Sequence, residues 1–216
     1  MEACKKAAAE KAASLVEDGM IVGLGTGSTA AYFIEALAYR HKKGLKVQTV
    51  ASSHTSQLLA QSRGLPLIDL NTLKSIDLYV DGADEIDPQK QMIKGAGGAL
   101  LREKILAHMS SEMTVIVDES KLVAKLGTRP LPVEIFPFGL QATLHHLHQL
   151  GYRGQLRANL TDNNNYLFDI KLSPSEQIRD HHNRISSIPG VLETGFFENL
   201  AGRVIIGFKD GSVVVQ

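Results

Sequence analysis

The chain has 216 residues in which 23 lysines and arginines balance 23 aspartates and glutamates, for a formal net charge of zero. A chain of that length buries roughly 70% of its unfolded surface, so it needs no disulfide or metal staple, and its neutrality removes the positive field that non-specific nucleic-acid binding requires. A lone cysteine, Cys4, excludes an internal disulfide framework and points to a reducing, cytoplasmic setting, and without an apolar run near 20 residues neither a membrane span nor a membrane partner is expected.

From Cys4 to Asp18 the alanines, Leu15 and Val16 recur at helical spacing and Gly19 follows, which predicts a helix closed by a glycine cap. Met20 to Gly25 reads as a strand that stops at a Gly/Thr/Ser cluster, and Ala30 to Tyr39 resumes helical spacing. The alternation repeats. Val47 to Ala51 predicts a strand, Ser52 to Ser56 a helix start and Gly64 its stop, with further strands at Leu65 to Ile68 and Ile76 to Val80. Gly97 to Met109 predicts a helix leading to a strand at Met113 to Val117, with Asp118 beyond it. These elements imply an α/β fold with a Rossmann-like, mostly parallel sheet and helices on both faces.

After Lys121 the texture changes, with Pro130, Pro132 and Pro137 around a strand at Val133 to Phe136 and a helix at Phe138 to Leu150. Gln155 to Ala158 and Tyr166 to Lys171 flank Thr161-Asp162-Asn163-Asn164-Asn165 as a hairpin, Pro174 opens a helix to Ser187, and Val191 to Phe196 closes the series as a strand. That order is the split βαβ pattern of a small ferredoxin-like α+β insert. Val204 to Phe208 and Ser212 to Val215 around Asp210-Gly211 predict a terminal hairpin on an edge of the first sheet. The expected division is therefore 1–127 with 201–216 as a catalytic domain and 128–200 as the smaller domain, carrying oligomer contacts.

Three segments carry chemistry. Gly23-Leu24-Gly25-Thr26-Gly27-Ser28-Thr29 lies between a strand and a helix, where free N–H groups and hydroxyls can hold a phosphate, although the same pattern suits a tight capped turn. It lacks the Gly-Lys-Ser/Thr ending of a nucleotide loop, which favours a monophosphate. Asp81-Gly82-Ala83-Asp84-Glu85-Ile86-Asp87 places four carboxylates in seven residues at the carboxyl end of a strand, where open α/β sheets hold ligands. Asp81 and Asp84 suit hydrogen bonding to a polyol; Glu85 and Asp87 read as a solvated turn, and calcium-loop spacing is absent. Lys94-Gly95-Ala96-Gly97-Gly98-Ala99 sets a cation beside exposed N–H groups able to stabilise an oxyanion, with Glu103 following in the next helix. Taken alone, Glu103 between Arg102 and Lys104 reads as a surface glutamate, and Lys121 past the fifth strand as a phosphate ligand or a solvated end. His145, His146, His148, His181 and His182 read as surface helix residues, since no metal-ligand spacing joins them.

Together, Gly25-Thr26-Gly27-Ser28-Thr29, Asp81-Gly82-Ala83-Asp84-Glu85, Lys94-Gly95-Ala96-Gly97-Gly98 and Arg102-Glu103-Lys104 resemble the A-type ribose-5-phosphate isomerases, as do Leu131-Pro132-Val133-Glu134, Thr161-Asp162-Asn163 and Ile188-Pro189-Gly190-Val191. The resemblance implies that Glu103 is the catalytic base, that Lys94, Gly95, Ala96 and Gly97 sit at the reacting end of the sugar, and that Asp81 and Asp84, with Gly82 and Ala83, bind hydroxyls and assist ring opening. It places the phosphate on Thr26, Gly27, Ser28, Thr29 and Lys121, with Lys5 helping. It implies interconversion of ribose and ribulose 5-phosphates through an enediolate in the pentose phosphate pathway, with no cofactor or metal, by a homodimer or homotetramer. Asn164 stands where the family often has glycine, and Glu119 where a small residue is usual. The rival readings are a non-catalytic sugar-phosphate-sensing module, which has no use for Lys94 and Glu103 together, and a transferase on the same fold.

Overall fold

The computed structural model of the chain describes residues 1–173 and 177–216. In chain order the first elements are α1 (Glu2–Ala13), β1 (Ile21–Leu24), α2 (Ser28–Lys42), β2 (Gln48–Ala51), α3 (His54–Arg63) and β3 (Ile76–Asp81). Two short strands, β4 (Glu85–Ile86) and β5 (Met92–Ile93), precede α4 (Leu100–Met109), β6 (Ser110–Asp118) and β7 (Leu131–Ile135). Then come α5 (Leu140–Gln149), β8 (Arg153–Leu156), β9 (Tyr166–Lys171), α6 (Ile178–Ser186) and β10 (Val191–Thr194). The last three are β11 (Phe196–Phe197), β12 (Ala201–Gly207) and β13 (Val213–Val215). Pro174, expected to open a helix, lies outside the described residues. Among them no helix is long and apolar enough to cross a membrane.

The chain divides into two units, one formed by Met1–Ala83, Arg102–Leu122 and Asn199–Gln216, the other by Asp84–Leu101 and Val123–Glu198. The first unit holds a six-stranded sheet in the order β13-β12-β6-β3-β1-β2, parallel except for the terminal hairpin strand β13 at its edge. The step from β1 to β2 through α2 and the step from β3 to β6 through α4 run in opposite directions along the sheet, so right-handed crossovers put these helices on opposite faces. Ala8, Ala12, Phe33, Ile34 and Leu37 pack with Val22, Leu24 and Val80 into one core. The alanines let α1 lie close, and each buried large side chain contributes roughly 1.5–3 kcal/mol.

Two expectations need correcting in this unit. The first helix ends at Ala13, with Ser14 as its cap rather than Gly19. The Arg40 guanidinium of α2 supplies the reason, since it donates to the carbonyls of Ala13 and Val16 at the helix end, the latter at 2.8 Å. Leu65 to Ile68 forms only a single parallel bridge, Thr49 to Leu67, because Pro66 has no N–H to give a ladder and the Asp69-capped turn at Leu70–Thr72 follows at once. The helix that ends at Gly64 keeps its predicted ends, with the Ser53 hydroxyl accepting from the Ser56 amide and Gly64 in the left-handed region.

The second unit is a four-stranded antiparallel sheet in the order β10-β7-β9-β8, the order a split βαβ fold requires, with α5 and α6 in its crossovers. Leu131, Val133, Ile135, Leu147, Phe168 and Ile185 form its core. The strand expected from Val191 to Phe196 breaks at Gly195, whose amide donates to the Pro132 carbonyl at 2.7 Å while its own carbonyl accepts from the Lys94 amide at 2.8 Å. Beyond that break, β11 joins β5 and β4 in a three-stranded sheet that the sequence did not predict. The helix expected from Gly97 begins at Leu100, and the one expected from Phe138 begins at Leu140 behind Gly139.

Candidate active site

The parallel strands of the first unit end on one edge, at Leu24, Ala51, Asp81 and Asp118. The loop after β1 passes so close to β3 that a Cβ on Gly25 would run into the Asp81 carboxylate. That carboxylate is fully buried. Its Oδ1 accepts from the amides of Thr26 at 3.0 Å and Gly82 at 2.7 Å, and its Oδ2 accepts from the Tyr79 hydroxyl. The Thr26 hydroxyl lies 2.7 Å from the Ser52 hydroxyl and donates to that of Ser53 at 2.9 Å, while the Ser56 hydroxyl donates to the Gly25 carbonyl at 2.5 Å. Thr26 thus ties the loop to the start of α3.

Gly27, with φ +104°, caps α2 without a side chain, so the first helical amides open past it beside exposed Ser28 and half-buried Thr29. Lys5, on α1, donates from Nζ to Ser28 Oγ at 2.9 Å. Beyond β6, Asp118 Oδ1 accepts from the Ser120 amide at 3.0 Å and from its hydroxyl, closing the turn that carries Lys121. Burial works against ionising Asp118, but the two Ser120 bonds, with Lys121 and Lys5 nearby, outweigh it and hold the carboxyl below its usual 3.8. The edge thereby gathers Lys5, Ser28 and Lys121, two cations beside an uncapped helix start. Glu119, partly exposed, sits 3.7 Å from Lys209.

Glu103 stands in the first turn of α4 and is 3% exposed, so it is not the surface glutamate that its charged neighbours suggest; Lys104 beside it is buried as well. Tyr79 is fully buried, and that burial, then the negative charges of Asp81 and Glu103, push its hydroxyl well above 10. Tyr79 therefore stays a hydrogen-bond donor to Asp81 at neutral pH. Tyr79, Ser52, Ser53 and Ser56 were not foreseen as site residues; the run Ser52-Ser53 at a strand end was the available signal.

The second unit carries the remaining expected residues. Asp84, half-buried, accepts at Oδ2 from the Ala96 amide at 2.9 Å, and its own amide donates to the Ile93 carbonyl at 2.8 Å. Lys94 is 3% exposed, its Nζ 5.4 Å from the centre of the Phe197 ring. Gly95 is buried, whereas Ala96 and Gly97 are exposed. Glu85 is no solvated turn residue. It is buried, and its carboxylate accepts from the amides of Gly127 at 2.8 Å and Arg129 at 2.6 Å and from the Thr128 hydroxyl, which makes it an anchor for that loop. Asp87 accepts from the Gln89 and Gln91 amides at 2.9 Å each. His181 is buried too, 3.1 Å from the Tyr152 hydroxyl, contrary to the surface reading. Among the described residues no group of three or more His, Cys, Asp or Glu side chains is arranged to hold a metal ion.

Residues 48–211 match the family model for ribose 5-phosphate isomerase A (phosphoriboisomerase A). A ribose-5-phosphate isomerase A of Protochlamydia amoebophila is 54% identical over 214 residues, 96% of this chain and 92% of that protein. The solved ribose 5-phosphate isomerase of Plasmodium falciparum superposes with a TM-score of 0.95 at 37% identity, over 100% of this chain and 98% of that one. A solved D-ribose-5-phosphate isomerase in complex with phospho-erythronic acid does so with a TM-score of 0.92 at 37% identity, over 99% and 97%.

Proposed function

Since the chain belongs to the ribose 5-phosphate isomerase A family, and is thereby an aldose–ketose isomerase, we propose that one buried carboxylate, Glu103, interconverts ribose 5-phosphate and ribulose 5-phosphate through an enediolate. The observation that carries this reading is the placement of Glu103 in the first turn of the helix that follows the glycine loop, 3% exposed and close enough to act on the Tyr79 hydroxyl together with Asp81. Glu103 takes the proton from C2 of the open-chain aldose and returns it to C1, while the proton of the C2 hydroxyl passes to O1, leaving the carbonyl at C2. Lys94 and the Gly97 amide balance the charge on the enediolate oxygens, an effect on the order of 3–4 kcal/mol, while the Ala96 amide holds Asp84. Asp81 takes the proton of the C1 hydroxyl and returns it to the ring oxygen as the bond from C1 to that oxygen breaks, and Asp84 binds hydroxyls alongside Gly82 and Ala83.

The phosphate binds at the start of α2, on Gly27, Ser28 and Thr29, with Lys5 and Lys121 as cations; Thr26 holds that loop in place. Binding there fixes the carbons rather than reacting. Phospho-erythronic acid, the ligand of the solved relative, has a phosphate at one end and a planar carboxylate at the other, and should bind this chain in the same two places. The reaction lies in the pentose phosphate pathway. We propose a cytoplasmic homodimer or homotetramer whose contacts fall on the second unit, where Phe136 and Phe138 are exposed.

Ribose 5-phosphate should be isomerised with no added cofactor and in the presence of EDTA. Glu103→Gln should fold, retain competition by inorganic phosphate, and lose kcat by about a thousandfold, within the range a positioned acid–base group supplies. Turnover within about tenfold of the parent would remove Glu103 from the chemistry.

A further inference from the structure

In the second unit the guanidinium of Arg157 is committed to protein partners. Its Nε and Nη2 donate to the two carboxylate oxygens of Asp169 at 2.8 Å each, the paired fork that arginine makes with a carboxylate. The remaining nitrogen, Nη1, donates to the main-chain carbonyls of Gly95 and Ala96 at 2.9 and 3.2 Å. Asp169 lies in β9, and the Arg157 amide extends the β8–β9 ladder by donating to the Leu167 carbonyl at 2.9 Å, so the fork stands on sheet rather than on loop. Both side chains are about a quarter exposed, where an ion pair by itself adds little stability.

A trans peptide points its N–H opposite to its C=O. The Gly95 carbonyl shares a peptide with the Ala96 amide, and the Ala96 carbonyl shares one with the Gly97 amide. Holding both carbonyls on Arg157 therefore turns the Ala96 and Gly97 amides away from it. The first consequence is on view, since the Ala96 amide donates to Asp84 Oδ2 at 2.9 Å. The second is that exposed Gly97 presents its N–H on the side of the loop opposite Arg157.

We propose that Arg157, clamped by Asp169, is a positioning residue of the isomerisation: it holds the Gly95 to Gly97 loop with the Ala96 amide in register with Asp84 and the Gly97 amide facing away from Arg157, open to the reacting oxygens. This rests on the reading of that loop as the stabiliser of the enediolate. Arg157 acts through the loop, and its loss removes stabilisation from the transition state while leaving the phosphate grip on α2 untouched.

The test uses full-length Arg157→Ala, Arg157→Lys and Asp169→Asn, with steady-state kinetics on ribose 5-phosphate and inhibition by inorganic phosphate and by phospho-erythronic acid. Arg157→Ala should lower kcat about a hundredfold, the cost of a small misplacement of catalytic groups, with KM and inhibition by inorganic phosphate shifting less than about threefold. Phospho-erythronic acid should weaken far more than inorganic phosphate, because its carboxylate depends on the loop. Lysine cannot form the fork, so Arg157→Lys should fall with the alanine variant. If Arg157→Ala does not fold, Arg157→Lys and Asp169→Asn read the same split. Turnover within about threefold of the parent in the folded variants, or equal losses of kcat and phosphate affinity, would overturn the proposal. Glu103→Gln measured alongside separates the two readings: if it alone is inactive, the enediolate reading stands and the role of Arg157 fails.

Discussion

Asp81 is closed off from solvent because two amides and a tyrosine hydroxyl converge on it, and that convergence requires Gly25 to have no side chain. The same loop divides its hydroxyls between two jobs. Thr26 turns inward to Ser52 and Ser53, and Ser28 meets Lys5, while Thr29 stands half-buried in the first turn of α2. Thr29→Val should therefore raise KM for the sugar phosphate by roughly 10- to 100-fold, the worth of a hydrogen bond to a charged group, with a smaller change in kcat. Steady-state kinetics decides it; an unchanged KM takes Thr29 out of the phosphate grip. Gly25 and Gly27 were legible as glycines between a strand and a helix, but the burial of Glu103 was not, because Arg102 and Lys104 on either side give it the look of a solvated face.

The turn after β6 shows how a short element sets a cation. Asp118 holds Ser120 by amide and hydroxyl, and the turn ends at Lys121. Since its folded carboxyl titrates below 3.8, its ionised form stabilises the fold above that value, and the contribution disappears as pH falls through the folded pKa. Asp118→Ala should cost about 1 kcal/mol at neutral pH, as for other lost caps, and the gap between variant and parent in urea unfolding should narrow below about pH 4. A gap independent of pH would show that the carboxylate charge has no part in it. Longer elements were readable in outline. The Ser53 and Gly64 caps follow from residue type, and Asn164 takes φ +61° in a turn whose asparagines Asn163 and Asn165 donate to Glu134. Strands β4, β5 and β11 have two residues each, too few for any period to register, and pairing alone makes them strands.

At the scale of the whole molecule, each unit has its own sheet and its own core, so each can be probed separately by substitution. The second unit leaves Phe138 86% and Phe136 49% exposed, in a neutral chain where such residues gain by being covered. Phe138→Asp should lower the sedimentation mass by at least half at micromolar concentration with unchanged circular dichroism. An unaltered mass would remove Phe138 from the proposed oligomer contacts.

Residue types and their order were enough to establish an α/β chain with a split βαβ insert, a phosphate-suited loop, an acidic strand end and the family resemblance. Each of these is written in local spacing, and spacing survives in a string of letters. The environment of each charge came only with the tertiary structure. Folding takes Glu103 and Lys94 out of water, makes Glu85 an anchor rather than a solvated turn, and gives Arg157 two carbonyls to hold. Burial and partnership depend on segments far apart in sequence arriving side by side, and no periodicity within either segment records that meeting.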